Sequence, residues 1–241
     1  MAAMPPIAIV FDYDKTLSPH HMQEDALFEP FGIDPAAFWS QCDTLGTYDR
    51  ELAWMYRLLD QPKIRELTRS QITAVGRRLV FYPGLPEMFD ELKGADFYIV
   101  TSGLKEILEG SVLAPRMKFI FGCEYDYHPD GRLWRPKRTI GHTTKTQMLF
   151  RINKGLLDMG QDVNIHMDDE KRPVPFHRMC YVGDGMTDVP CFAVLSKQRG
   201  RTIAVYGREE ERSKCRELLD AGRVDHVVPA DYRRGSELRT L

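Results

Sequence analysis

The chain alternates between short apolar runs and longer stretches in which apolar residues return every three or four positions. Residues 7 to 12, IAIVFD, are branched and aromatic, and they suit a parallel strand buried on both faces. Similar runs recur at Asp96 to Thr101 (DFYIVT), Met179 to Gly183 (MCYVG), Arg201 to Tyr206 (RTIAVY) and Asp225 to Val228 (DHVV). Helical periodicity occupies Leu85 to Lys93, Lys105 to Leu113, Lys145 to Leu157, Thr187 to Leu195 and Glu209 to Ala221. Strands alternating with helices predict an α/β core built on a doubly wound, parallel sheet.

The alternation breaks between residues 18 and 82, where helical spacing continues without a strand run. AAFWSQCDTL and RELAWMYRLLD carry it, and Asp34-Pro35 reads as an N-cap followed by proline at the first helical position. A helical cap, residues 18–82, is therefore expected to emerge directly after the first strand, with residues 1–17 and 83–241 forming the core. A second irregular stretch, Ile120 to Gly141, contains CEYDYHPDGRLWRP and predicts a hairpin turning at Asp130-Gly131. Residues 160–175 are polar and read as a loop.

Composition narrows the partners. Lys+Arg number 33 against Asp+Glu 35, and the pI is near 6.4, so there is no basic excess for nucleic acid or an anionic membrane. The first residues carry no positive n-region, and their apolar run stops at Asp12, short of a signal sequence or a membrane span. A cytoplasmic location is expected. Five scattered cysteines without a C-x-x-C pair fit reduced thiols rather than a disulfide framework or a zinc site.

The chemistry concentrates at strand ends, where open α/β sheets bind ligands. Asp12-Tyr13-Asp14-Lys15-Thr16-Leu17 closes the first run with two acids, which a buried strand has little structural reason to carry. A solvated turn is the plain alternative. An EF-hand loop is excluded because Leu17 and Gln23 stand where its glycine and glutamate belong. Tyr181-Val182-Gly183-Asp184-Gly185-Met186-Thr187-Asp188 is a second strand end turning into a helix. It fails as a dinucleotide fingerprint, since Asp188 replaces the third glycine and Asp184 would repel a pyrophosphate. Acids converging from two strand ends suit Mg²⁺, a hard cation that takes one or two carboxylates with water and phosphate. Thr101, Ser102 and Gly103 precede a helix, where a hydroxyl and amides can hold a phosphoryl oxygen or simply cap the helix. Lys145 opens a helix, a place that disfavours cations and so calls for a charge partner, unless the lysine is merely exposed. GHTTKT lacks the Gly-Lys-Ser/Thr unit of a Walker loop.

With D-Y-D-K-T-L, Thr101, Lys145 and G-D-G-M-T-D in this order, the sequence resembles the haloacid dehalogenase (HAD) superfamily and, within it, the phosphoserine-phosphatase-like branch. The resemblance runs from Asp12 to Asp188. It implies a Rossmann-like core with a helical cap inserted after strand 1, and a Mg²⁺-dependent phosphoric monoester hydrolase acting on a small phosphorylated metabolite through an aspartyl-phosphate. Position by position, it implies Asp12 as nucleophile, Asp14 as general acid/base, and Thr101 and Lys145 as phosphoryl ligands, with Ser102 and Gly103 beside them. It further implies Asp184 as a Mg²⁺ ligand with Asp12 and the Asp14 carbonyl, and Asp188 as support for the metal's outer shell.

Asp14 favours phosphatase over dehalogenase, because an alkoxide leaving group needs a proton and halide does not. Phosphomutases share the acid pair, and a non-catalytic phosphate- or metal-binding protein of this fold would keep part of it. For a phosphoserine-like substrate, Glu24, Arg50 and Arg57 are candidate cap ligands. Trp39, Trp54, Met55 and Tyr56 read as packing residues, and His20 and His21 as loop residues near the cap.

Overall fold

A computed structural model describes residues 6–241. Seven strands form one sheet: β1 (Ile7–Phe11), β2 (Ala95–Leu104), β3 (Phe119–Tyr127), β4 (Leu133–Arg138), β5 (Met179–Gly183), β6 (Arg201–Tyr206) and β7 (His226–Pro229). Their order is β4-β3-β2-β1-β5-β6-β7, parallel throughout except for the antiparallel edge pair β3–β4. The chain leaves β1 towards β2 on one side and later crosses to β5 on the other, which opens a crevice beyond the carboxyl ends of β1 and β5. Ala8, Val10 and Phe11 of β1 are buried, but Ile7 is 43% exposed and Ile9 half-buried, so burial of this strand on both faces is incomplete.

The helices expected between strands form, four with shorter bounds and the one expected at Thr187–Leu195 shifted to Val189–Lys197. Pro35–Asp43 starts as the sequence predicts, with Asp34 Oδ1 accepting from the Ala37 N–H at 2.7 Å. Thr144–Lys154 stops at Gly155, which takes the left-handed conformation (φ 69°) that glycine adopts without a steric penalty. The hairpin turns through Asp130-Gly131, but its first strand reaches further back than expected. The Phe119–Phe121 portion of β3 pairs in parallel with β2 before the chain turns to meet β4. The strand signal there is short and broken by Gly122, which explains why the parallel half was not legible.

Between β1 and β2 the chain is helical, with Pro35–Asp43, Arg50–Leu59 and Arg69–Ala74 the longest pieces. The Tyr82 N–H donates to the Leu17 carbonyl at 3.0 Å and ties the outgoing and returning strands of chain together. The segment is also docked on the core: the buried Tyr125 hydroxyl donates to the Met55 carbonyl at 2.7 Å. A Cβ at Gly110 would collide with the Thr73 carbonyl oxygen, so these two backbones touch because no side chain intervenes. No helix among the described residues is long and apolar enough to cross a membrane, and the five cysteines are unpaired.

Candidate active site

Asp12 follows β1 directly, and its N–H extends the ladder to the Val182 carbonyl of β5 at 2.9 Å. The next residues form a tight loop in which the N–H groups of Thr16, Leu17 and Ser18 all point at the Tyr13 carbonyl. Lys15 sits in the left-handed region (φ 60°), and the Tyr232 hydroxyl donates to the Thr16 carbonyl at 2.7 Å, fixing the loop from the far end of the chain. Backbone restraint thus aims Asp12 and Asp14 into the crevice.

Asp12, Asp184 and Asp188 each bring one carboxylate oxygen within 4.8 Å of the others. Lys145, 1% exposed at the start of its helix, reaches into this group with Nζ 2.9 Å from Asp12 Oδ1 and 2.8 Å from Asp188 Oδ1. The charge partner that its helix position demands is therefore this pair of acids. Tyr181 also donates to Asp188 Oδ1, at 2.8 Å, while Asp188 Oδ2 is buried without a partner among the described residues. A side chain at Gly183 would run into that oxygen, so glycine is required where β5 ends against Asp188.

Three carboxyls sharing one buried ammonium leave excess negative charge. Burial pushes the Asp12 carboxyl up to about 7; Lys145 opposes this, and Asp188 and Asp14 add to it. Burial also raises Asp184 well above the carboxylate range, and Asp188 and Asp12 reinforce it. For Lys145, burial alone would favour the neutral form, but the two carboxylates outweigh it and hold the ammonium charged. An unpartnered buried oxygen, a tight oxygen-only donor set and uncompensated charge fit a hard divalent cation.

Asp14 stands apart from the trio. Its Oδ1 accepts from the Met22 N–H at 2.8 Å, and its Oδ2 lies 3.9 Å from His21 Nδ1. Burial alone would lower the His21 pKa, but this carboxylate outweighs it and raises it. Asp12, Asp14, Lys145 and Asp184 line one cavity of about 110 Å³, together with Ser102 and Thr187. Thr101 is fully buried behind it, its Oγ1 accepting from the Gly103 N–H at 3.0 Å. The helix begins at Lys105 as the sequence predicts, but β2 continues to Leu104 rather than ending at Thr101, so Thr101 and Ser102 are strand residues and not at the helix N-terminus. Ser102 Oγ is buried without a partner among the described residues.

Of the cap candidates, Arg50 reaches the cavity, whereas Glu24 accepts from Trp39 Nε1 at 3.3 Å and Arg57 contacts Asp60 and Thr44. The residues that sequence reasoning missed are Glu51, Gln23 and His142, with Trp39, Trp54 and His21 as wall residues rather than packing or loop residues alone. Glu51 is only 9% exposed and would lie 2.9 Å from a Cβ at Gly141, just before the Lys145 helix. Burial of an acid on an amphipathic helix was the one signal, and it appears only when the helix is docked.

No family model matches the chain. A Borreliella burgdorferi protein described only as uncharacterized is 27% identical over 272 residues, covering 96% of this chain and 93% of its own length. Among solved structures, a HAD family hydrolase of Salmonella enterica serovar Typhi superposes with a TM-score of 0.64 at 17% identity, over 93% of this chain and 68% of its own. A phosphoserine phosphatase in apo form gives 0.63 at 18% identity, over 98% and 96% of the two chains. Another, described as a phospho-aspartyl intermediate analogue of phosphoserine phosphatase, gives 0.58 at 17% identity, over 98% and 97%. The fold is that of the HAD-type hydrolases. Within that class it is the scaffold that phosphoserine phosphatases share, as the motifs from Asp12 to Asp188 imply.

Proposed function

We propose that this chain is a Mg²⁺-dependent phosphatase that hydrolyses a small phosphomonoester through an aspartyl-phosphate on Asp12. The observation that carries the reading is Asp12 at the crevice floor, bonded to Lys145, grouped with Asp184 and Asp188, and sharing one cavity with Asp14.

Asp12, Asp184 and Asp188 are the residues that would hold the metal, with Asp188 bearing mainly on Lys145 and Tyr181. When bound, Mg²⁺ would cancel phosphate charge and polarise the phosphorus. Lys145 opposes the burial that raises the Asp12 carboxyl and fixes one of its oxygens, leaving the other for in-line attack. Asp12 then forms a bond to phosphorus as the bond to the ester oxygen breaks. Asp14, held by the Met22 N–H, gives the departing alkoxide its proton and later takes one from the water that hydrolyses the acyl-phosphate. Ser102 and its neighbouring backbone, with Lys145, supply donors to the phosphoryl oxygens, while Thr101, which the sequence names beside them, is buried behind the cavity. The solved phospho-aspartyl analogue on a like fold supports the same route.

Mass spectrometry of enzyme quenched in acid during turnover tests this. Phosphate is expected on the peptide containing Asp12 and absent in Asp12→Asn, which should fold normally without turnover. Full activity in that variant, or phosphate only elsewhere, overturns the assignment.

A further inference from the structure

The cavity holding Asp12 is about 110 Å³, room for a phosphoryl group and a short stem but well below the roughly 300–1,000 Å³ of pockets that enclose a whole ligand. Whatever alcohol the phosphate is esterified to must extend beyond it. A second cavity of about 610 Å³ meets the first along His21, Trp39, Arg50 and Trp54, which line both. Tyr48 adds a third large ring to its wall, 49% exposed and packed edge-on against Tyr56 at 5.9 Å.

Two features of this outer cavity point to its occupant. Its wall exposes the Tyr48 ring, with Trp39 half-buried and Trp54 largely buried, and aromatic rings pack best on another planar ring, through offset stacking or edge contacts. Arg50, at the junction, is exposed and makes no ion pair among the described residues, although it opens the helix Arg50–Leu59 where the dipole disfavours a cation. A guanidinium so placed can contact a phosphoryl oxygen on one side and stack on a ring on the other.

We infer that the outer cavity is a subsite for a planar aromatic ring, so that the substrate is a phosphomonoester whose alcohol carries such a ring a few bonds from phosphorus. Its kinetic test rests on the phosphatase reading, but its binding test does not. A short polar alcohol would leave this cavity filled by water.

Two measurements decide the matter. First, kcat/KM is compared across adenosine 5′-monophosphate, cytidine 5′-monophosphate and phosphotyrosine on one side, and phosphoserine and glycerol 3-phosphate on the other. At least one ring-bearing ester is expected to exceed both short esters about tenfold or more. Tyr48→Ala should shrink that ratio by about 3- to 10-fold, the usual worth of one aromatic contact, and Tyr48→Phe should restore it. Second, two of the three tryptophans, Trp39 and Trp54, line the subsite, while Trp134 lies on β4. In Asp12→Asn carrying Trp134→Phe, adenosine 5′-monophosphate should quench the remaining fluorescence saturably, and glycerol 3-phosphate should not. Ring-selective quenching without hydrolysis would keep the subsite and sink the phosphatase reading. Preferred hydrolysis of the short esters, without quenching by the ring-bearing one, would overturn the subsite and leave the phosphatase reading standing. Neither hydrolysis nor quenching would remove both.

Discussion

Replacing Lys145 with methionine keeps the side chain's length and removes its charge, and the effect on folding follows from the two ion pairs it makes. Both partners are shielded from water: Lys145 is 1% exposed, Asp188 fully buried, and the Asp12 side chain 6% exposed. Removing one partner of a buried pair costs about 3–5 kcal/mol, because the other charge is left uncompensated. Set against a usual stability of about 5–15 kcal/mol, that removes from about a fifth to all of the fold's margin in metal-free buffer at pH 8. The cost should depend on pH in a defined direction. Asp12 already has its carboxyl raised to about 7 by burial, and without the ammonium it rises further. A carboxyl whose folded pKa lies above its unfolded value destabilises the fold as pH rises between the two, by up to about 1.4 kcal/mol per pH unit per group. Urea denaturation with EDTA present is the assay. Lys145→Met should lose most stability at pH 8 and recover much of it near pH 5, where the acids take up protons. Adding Asp188→Asn should restore part of the loss at pH 8, because one of the stranded charges is gone. A loss below about 1 kcal/mol at pH 8, or one that does not shrink on acidification, would show that Lys145 does not offset the acids' charge.

Asp14→Asn should form phospho-enzyme readily from p-nitrophenyl phosphate but about 10²- to 10⁴-fold more slowly from an alkyl ester, since only the alkoxide needs a proton. Single-turnover kinetics reads this, and equal slowing of both esters would end the acid/base assignment. Mg²⁺ should activate and raise the melting temperature, while Ca²⁺, which binds carboxylates through both oxygens, should raise the melting temperature yet inhibit. Undiminished hydrolysis in excess chelator would refute the metal. Gly110→Ala should destabilise by about 1–3 kcal/mol through collision with the Thr73 carbonyl, and chemical denaturation with little change would show that the two backbones separate easily.

The residues that the structure gathers at the crevice were legible because each sits where the chain's own pattern marks a boundary. Asp12 and Asp184 end apolar runs, Asp188 precedes a helix, and Lys145 opens one against the dipole. Thr101 and Ser102 show the limit of that signal: adjacent strand residues face opposite ways, and one-dimensional spacing does not say which of two hydroxyls faces the cavity. Glu51 illustrates a different limit. It lies on an amphipathic helix whose polar face is ordinary surface by periodicity, and only docking beside Gly141 turns it into part of a wall. β3 was half hidden for a third reason. Its parallel pairing covers Phe119–Phe121 and, past a register shift, Cys123, and the same strand then runs into the antiparallel hairpin that its turn residues announce.

At the foot of the helical segment, Leu17 and Tyr82 are a single hydrogen bond apart. The sheet therefore meets two adjacent chain ends, whatever is built between them. Closing a flexible loop costs only about 0.6 kcal/mol more for each doubling of its length, so a longer or shorter insertion adds little burden to the core. Trp39, Tyr48, Arg50 and Trp54 all belong to that insertion, while Asp12, Asp14, Lys145, Asp184 and Asp188 lie outside it. Mutation at Tyr48 can thus alter the wall proposed to meet the alcohol while Asp12, Asp14, Lys145, Asp184 and Asp188 stay in place. On the proposed function, that wall is where one alcohol is traded for another while each acid and the lysine stay at their strand and helix ends.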